Sequence, residues 1–195
     1  MKILVSGFEP WGDRESNPSG DVAASLEGER IAGAEIVTVV LPVLYGEDTA
    51  VLFPLIERIQ PAAVVSLGLS GRPCLSVERV AVNLKQDDEP IEVGGPDAYF
   101  ATLPTRSMVE EIEAGGIPAQ LSYHAGRFLC NHIMYSVLHH LAKSKSSVPA
   151  GFIHVPPTPD LIAGKGQASP SMSLEMIREG TVLGIENLVS CLHNV

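Results

Sequence analysis

The stretch that decides the fold is AQLSYHAGRFLCNHIMYSVLHHLAKSKSSVPAGFIHV, residues 119–155. It begins with a short apolar segment at residues 119–122 and passes through a loop that contains Gly126. The next segment predicts a helix, because its apolar side chains recur at helical spacing on one face: Ile133, Met134, Val137, Leu138 and Leu141. An apolar run at residues 152–155 then predicts another strand. Strands that alternate with helices in this way are typical of a parallel sheet.

The same alternation extends over the rest of the chain. Further strands are predicted at residues 3–5, 35–41, 62–67 and 77–84, and further helices at residues 21–26, 46–59, 104–114 and 171–192. Pro54 leaves open whether the second of these helices is kinked. The acidic residues 87–95 predict an excursion or a hairpin. We expect one domain over residues 1–195, of the α/β class: a three-layer α/β/α architecture with a twisted, mostly parallel central sheet, phosphorylase/hydrolase-like.

The composition excludes several classes of protein. Hydrophobic residues make up 45% of the 195 residues, which is a globular composition, and the formal net charge is −10. This charge argues against nucleic acid or an anionic membrane as a partner. The first apolar run is short for a signal sequence and ends near Glu9, and no run is long enough to span a membrane. The three cysteines are too few and too widely spaced for a disulfide framework. We therefore expect a cytoplasmic protein.

Cys130 is the first candidate for chemistry, since it stands where a loop turns into a helix. Backbone N–H groups at a helix start favour a thiolate, which is a nucleophile. His154 could act as its base and Glu78 as the acid that orients the imidazole. Ligands of such sheets bind beyond the carboxyl ends of the strands. Because Cys130, His154 and the segments after Gly7 and Gly68 all lie near strand ends, we expect them to converge.

Each of these residues also has a structural interpretation. Cys130 could be an inert buried thiol, His154 a core histidine, and Glu78 a surface partner of Arg79. A metal site is not predicted, because His124, Cys130 and His132 lack the spacing of known ligand motifs, and His139 and His140 fit a solvated helix edge. The loop from Gly68 to Arg72 matches no phosphate-binding motif, and we expect it to let backbone amides approach a ligand. Phe8 and Trp11 could clamp a flat ligand or cap the core.

Several motifs together resemble a known family of cysteine peptidases, pyroglutamyl peptidase I (pyrrolidone-carboxylate peptidase). They are GFEPWG with NPS (7–12, 17–19), ERVAVN (78–83), GPDAYF with LP (95–100, 103–104), AG with FLCNH (125–126, 128–132), GFIHVP (151–156) and PSMSL (170–174). They occur in the family's order over nearly the whole chain.

The resemblance implies an omega-peptidase that removes an N-terminal pyroglutamyl residue from peptides through a thioester acyl-enzyme. It implies that Cys130 is the nucleophile, His154 the general base and Glu78 the orienting acid. Its implied substrate-binding residues are Phe8, Trp11, Asn17, Leu69, Ser70, Phe128 and Leu129. It further implies a homo-oligomer, a tetramer or dimer, with pyroglutamyl peptides as partners and with neither metal nor other cofactor.

Three segments differ from the family pattern, and they leave two other functions open. The loop at residues 71–75 is one residue shorter, Arg127 stands where a small or hydroxyl residue is common, and acidic residues in segment 85–91 replace a family arginine. A pyroglutamate-binding protein without turnover is one alternative. A redox-responsive protein that uses Cys130, with Cys74 as resolving partner, is the other.

Overall fold

The computed structural model describes residues 1–163 and 169–193. Its strands are β1 (Lys2–Phe8), β2 (Arg30–Ile31), β3 (Ala34–Leu41), β4 (Ala63–Leu69), β5 (Leu75–Glu78), β6 (Val80–Val82), β7 (Ala98–Phe100), β8 (Ala119–Ser122) and β9 (Ala150–Val155). Its helices are α1 (Pro18–Ser25), α2 (Glu47–Ile59), α3 (Thr105–Ala114), α4 (Leu129–Lys143), α5 (Pro159–Ile162) and α6 (Leu174–His193). None of these helices is long and apolar enough to cross a membrane.

One large sheet organises the molecule, with the strand order β2-β3-β1-β4-β9-β5-β8. The pairs β1·β3, β1·β4, β4·β9 and β5·β8 are parallel. The pairs β2·β3 and β5·β9 are antiparallel. The prediction of a mostly parallel sheet is therefore confirmed. The antiparallel β5·β9 pair brings the end of β5 beside the middle of β9.

Helices cover both faces of this sheet, as the prediction of three layers requires. Successive residues of a strand point to opposite faces. Ile3 and Val5 accordingly belong to one apolar cluster, which includes buried residues of α1, α3 and α6. Leu4 belongs to a second cluster, which includes buried residues of α2 and α4. The α/β/α prediction is confirmed, and it gives each central strand residue a defined side.

The prediction of one half-exposed strand over residues 77–84 is wrong. The chain leaves the main sheet at Arg79, so that β5 pairs with β8 and β9, whereas β6 pairs with β7 in a separate two-stranded sheet. All four residues of β5 are buried. The polar alternation of this segment therefore marks buried polar groups such as Glu78 rather than a solvent-exposed face. The short elements β2, β7 and α5 were not predicted.

The other elements lie close to their predicted positions. Helix α2 is continuous from Glu47 to Ile59 with Pro54 inside it, and segment 87–95 forms turns without a strand. Asn17 caps α1, since its side chain accepts a hydrogen bond from the Ser19 N–H. Cys130 is the second residue of α4, which begins after Phe128. The predicted loop-to-helix transition at the cysteine is therefore present.

Candidate active site

The carboxyl-terminal part of β4 lies beside two of the predicted triad residues, Cys130 and His154. Gly68 lies next to the end of β4, and its register partner on β9 is His154. A Cβ atom at position 68 would lie only 2.8 Å from Cys130 Sγ and 2.5 Å from Phe152 Cζ. Only glycine therefore allows the Cys130 sulfur to pack against the strand here. The expectation that Gly68 belongs to a ligand-binding loop is wrong, because it is a strand residue that makes room for the thiol.

Strand alternation places the other two predicted side chains on the same side of the sheet. Phe152 belongs to the apolar cluster of α4, and Ile153 to the opposite cluster. His154 therefore faces the α4 side, on which Cys130 lies. Val77 belongs to the cluster opposite α4, so its neighbour Glu78 also faces α4. The sheet thus brings Glu78, Cys130 and His154 to one face.

The His154 imidazole is held by the Glu78 carboxylate. Nδ1 of His154 lies 2.7 Å from Oε1 of Glu78, and both side chains are buried. A carboxylate can only accept a hydrogen bond, so the proton of the neutral imidazole lies on Nδ1. The second ring nitrogen, Nε2, is then free to accept a proton. The alternative interpretations of Glu78 as a surface ion-pair residue and of His154 as an isolated core histidine do not fit this arrangement.

Arg72 completes the polar network around Glu78, although no role was predicted for it. Its Nη1 donates to Glu78 Oε1 at 2.6 Å and to Ser122 Oγ at 2.7 Å, and its Nη2 donates to the His124 carbonyl at 2.7 Å. Arg72 and His154 both contact the same oxygen of Glu78, Oε1. The other oxygen, Oε2, has no hydrogen-bond partner among residues 1–163 and 169–193. No sequence signal marks Arg72 beyond its place after Gly71.

The pKa of Glu78 lies below its usual value. Burial alone would raise this pKa, but the hydrogen bonds from His154 and Ser122 and the charges of His154 and Arg72 outweigh burial. The carboxyl group is therefore ionised at neutral pH. This agrees with its function as an acceptor for the imidazole N–H.

The thiol of Cys130 is neutral rather than ionised, which corrects the expectation of a thiolate. Burial, followed by the negative charge of Glu78, raises its pKa to about 12. The backbone N–H of Cys130 acts in the opposite direction, as expected at a helix start, but its effect is smaller. A thiol in this state needs a base to become a nucleophile.

A small cavity of about 70 Å³, here called the thiol cavity, opens beside Cys130. Val43, which was not predicted, contributes to its lining. The lining also includes six of the seven predicted substrate-binding residues: Phe8, Trp11, Asn17, Leu69, Phe128 and Leu129. None of the described residues that line it carries a charge. Ser70, the seventh, lines a neighbouring outer cleft of about 330 Å³.

Comparisons with known proteins identify the family of this chain. The sequence profile of the pyroglutamyl peptidase family matches residues 1–190. The pyrrolidone-carboxylate peptidase of Pyrococcus furiosus is 42% identical, covering 95% of this chain and 97% of that protein. The protein of the same name from Gloeobacter violaceus is 40% identical, covering 100% and 98%. The pyrrolidone carboxyl peptidase structure from Thermococcus litoralis has a TM-score of 0.94 at 37% identity, covering 99% and 95%.

The chain belongs to the pyroglutamyl peptidase family. This membership confirms the predicted resemblance and the prediction that the chain is an enzyme, a cysteine peptidase of that family.

Two of the segments that differ from the pyroglutamyl peptidase pattern contact each other. The Arg127 guanidinium, two residues before α4, forms an ion pair with Asp88 of the acidic segment. Both side chains are exposed. The charge of Arg127 is therefore compensated by the acidic segment.

Two further histidines of α4, His132 and His139, have other partners. His132 Nδ1 lies 2.8 Å from Asp48 Oδ2, in a second buried pair. His139 accepts or donates a hydrogen bond with the Tyr99 hydroxyl at 3.0 Å and stacks on Tyr135, so the interpretation as a solvated helix edge is wrong for this residue. Within the described ranges, no group of three or more His, Cys, Asp or Glu side chains could hold a metal ion.

Proposed function

We propose that this member of the pyroglutamyl peptidase family is an omega-peptidase that hydrolyses the amide bond after an N-terminal pyroglutamyl residue. A thioester acyl-enzyme and a Cys130–His154–Glu78 triad would carry the reaction. The observation that supports it best is the buried hydrogen bond between His154 and Glu78, one strand away from the thiol at the thiol cavity.

The acylation step follows from the protonation states. His154 Nε2 takes the proton of the neutral thiol while the Cys130 sulfur attacks the scissile carbonyl carbon, forming the C–S bond. The Cys130 backbone N–H, at the start of α4, would donate to the oxyanion. When the intermediate collapses, the C–N bond breaks and the imidazolium gives its proton to the leaving amine. Ionised Glu78 stabilises the imidazolium in both steps.

Deacylation reverses these roles with water. His154 takes a proton from a water molecule as its oxygen attacks the thioester carbon. The C–S bond then breaks, the sulfur regains the proton, and pyroglutamate is released.

The thiol cavity suits the pyroglutamyl group. Pyroglutamate has no free α-amine, so its ring is neutral, and it needs apolar contacts with a few polar groups rather than a counter-ion. The lining supplies the aromatic side chains of Phe8, Trp11 and Phe128, without a charged residue among those described. Phe8 and Asn17 are held rigidly, because the Ser19 hydroxyl accepts from the Phe8 N–H and itself donates to Asn17 Oδ1. Of the predicted substrate-binding residues, Ser70 would act outside this cavity.

The experiment is hydrolysis of a pyroglutamyl–fluorophore amide by the wild type, Cys130→Ala and the matched control Cys191→Ala. Cys191 is a half-buried free cysteine on α6. We expect Cys130→Ala to lower kcat by about 10³-fold or more and Cys191→Ala to stay close to the wild type. Mass spectrometry of acid-quenched enzyme should show the pyroglutamyl group on Cys130.

Two results would contradict this function. One is an inactive wild type that pyroglutamate nevertheless stabilises against heat, which would indicate a binding protein. The other is full activity of Cys130→Ala.

The broader properties are proposed with it. We propose that residues 1–195 form a single catalytic domain that needs no cofactor, that acts in the cytoplasm and that assembles as a homo-oligomer, a tetramer or dimer. The family resemblance supports both the assembly and the location. Sedimentation of the purified chain tests the assembly.

A further inference from the structure

The outer cleft is continuous with the thiol cavity. Trp11 and Leu69 line both spaces, so one indole ring and one strand end separate them. The cleft continues along Ser70 and Gly71, which follow β4, and along Pro157, which follows β9. These two segments are joined, because the Ser70 N–H donates to the Val155 carbonyl at 3.0 Å. The cleft thus begins one residue beyond the register pair of Gly68 and His154.

This position suits the leaving group of the proposed reaction. The pyroglutamyl ring would occupy the thiol cavity, with its carbonyl carbon at Cys130. The amine on the other side of the scissile bond must lie beside His154, which gives it a proton. The chain beyond that amine then extends past the ends of β4 and β9. At about 330 Å³, the outer cleft is large enough for one or two further residues.

Arg14 gives this cleft a chemical preference. Its guanidinium carbon lies 3.6 Å from the centroid of the Trp11 ring, a stacking that holds the group against the cleft wall. Among the described residues, its guanidinium N–H groups have no hydrogen-bond or ion-pair partner, although Asp13 and Glu15 flank it in sequence. Its backbone N–H donates to the Trp11 carbonyl at 3.4 Å. It is the sole charged side chain among the described residues that line the cleft.

We propose that the outer cleft binds the leaving-group side of the substrate and that Arg14 selects a carboxylate there. This inference rests on the proposed function and specifies its substrate class: peptides with an acidic residue after pyroglutamate, or pyroglutamyl dipeptides with a free α-carboxylate. A planar guanidinium donates two parallel hydrogen bonds to a carboxylate. In a chain with a net charge of −10, an acidic substrate would otherwise be repelled.

The test compares four substrates that differ only beyond the scissile bond. They are pGlu-Ala-NH₂, which is neutral; pGlu-Ala with a free carboxylate; pGlu-Glu-NH₂, with a side-chain carboxylate; and its neutral isostere pGlu-Gln-NH₂. Release of pyroglutamate is followed by chromatography for the wild type, Arg14→Gln and Arg58→Gln. The last is a control with the same charge change at an exposed position on α2.

We expect the wild type to prefer at least one carboxylate substrate over its neutral counterpart by about fivefold in kcat/KM, the upper range for an exposed ion pair. The substrate that shows the preference identifies which carboxylate Arg14 binds. Arg14→Gln should abolish the preference, Arg58→Gln should keep it, and added salt should weaken it. A purely structural role for Arg14 would lower all four values equally.

Equal kcat/KM for all four wild-type substrates, or a preference that survives in Arg14→Gln, would overturn the inference while leaving the proposed peptidase function in place. If none of the four substrates is cleaved, the proposed function fails, and the inference fails with it.

Discussion

Two histidine–carboxylate pairs are buried in this fold, and they differ in what surrounds them. In one, His154 Nδ1 lies 2.7 Å from Glu78 Oε1; in the other, His132 Nδ1 lies 2.8 Å from Asp48 Oδ2. Both carboxylates are fully buried. The distance between histidine and carboxylate therefore does not distinguish the pair that we propose to be catalytic from the other.

The carboxylates differ in how their oxygens are used. Asp48 uses both: Oδ2 meets His132, while Oδ1 accepts from the Gly46 and Thr49 N–H groups at the start of α2. This pair joins α2 to α4. Glu78 concentrates its contacts with His154 and Arg72 on Oε1. The first arrangement resembles a helix cap extended by an imidazole, and in the second one carboxylate oxygen is shared by an arginine and an imidazole.

The histidines also differ in their relation to Cys130. His154 lies across the sheet register from Gly68, against which the Cys130 sulfur packs. His132 follows Cys130 by two positions on α4, so the two side chains point about 200° apart around the helix. Its ring instead packs edge-on against Tyr45, with ring centroids 5.1 Å apart. His132 is thus nearer to Cys130 in sequence, whereas sheet topology favours His154, the proposed base.

Matched amide substitutions of the two carboxylates should show the largest difference between the two pairs. Glu78→Gln should lower kcat by about 10³- to 10⁴-fold, because a neutral amide no longer imposes the reactive tautomer or stabilises the imidazolium. Asp48→Asn should keep kcat within about threefold of the wild type and instead lower the free energy of unfolding by about 1–3 kcal/mol. Hydrolysis of the pyroglutamyl–fluorophore amide and urea unfolding measure the two quantities on the same preparations.

Reversed results would contradict the assignment of the base. If Asp48→Asn abolished activity in a folded protein while Glu78→Gln remained active, the His132–Asp48 pair would be the one that serves the thiol.

The sequence predicted the layers and the triad residues for different reasons. Hydrophobic periodicity is local, so the run at residues 119–122 was placed at the observed β8. Residue chemistry made Glu78, Cys130 and His154 candidates, and motif resemblance implied their roles, because their approach in space depends on strand order. Arg72 could not be predicted, since its partners Ser122 and His124 are about fifty residues away in the chain. The protonation state of Cys130 depends on burial, which a helix-start argument does not include.

Arg72 offers the next test, with a smaller expected effect. Arg72→Gln removes a positive charge beside the Glu78–His154 pair, so this coupled pair binds a proton more readily. We expect kcat/KM to fall by about tenfold, and the acid limb of its pH profile to move to higher pH. Arg79→Gln is the matched control, because Arg79 follows Glu78 directly but donates to the Ala101 carbonyl instead.

An effect on folding alone would lower kcat/KM of Arg72→Gln without moving the acid limb. Arg72→Lys, which retains the charge but not the planar fork, should restore the limb more fully than the rate. A limb that shifts equally in Arg72→Gln and Arg79→Gln would remove Arg72 from the site.

The smallest expected effect concerns acid stability, and it tests whether Glu78 is ionised for the reason given above. The folded-state pKa of Glu78 is lowered, so the folded protein binds this proton less readily than the unfolded chain does. The resulting stabilisation is present above the unfolded value of about 4.3 and is lost as pH falls through the lowered folded pKa. Glu78→Gln lacks this titration. As pH falls from about 5.5 to about 3, the wild type should therefore lose more free energy of unfolding than Glu78→Gln does, measured by urea unfolding.

A difference between the two proteins that stays constant over this range would mean that the hydrogen bonds and charges around Oε1 do not outweigh the burial of the carboxylate. The distinction between the two pairs would then lose its electrostatic basis.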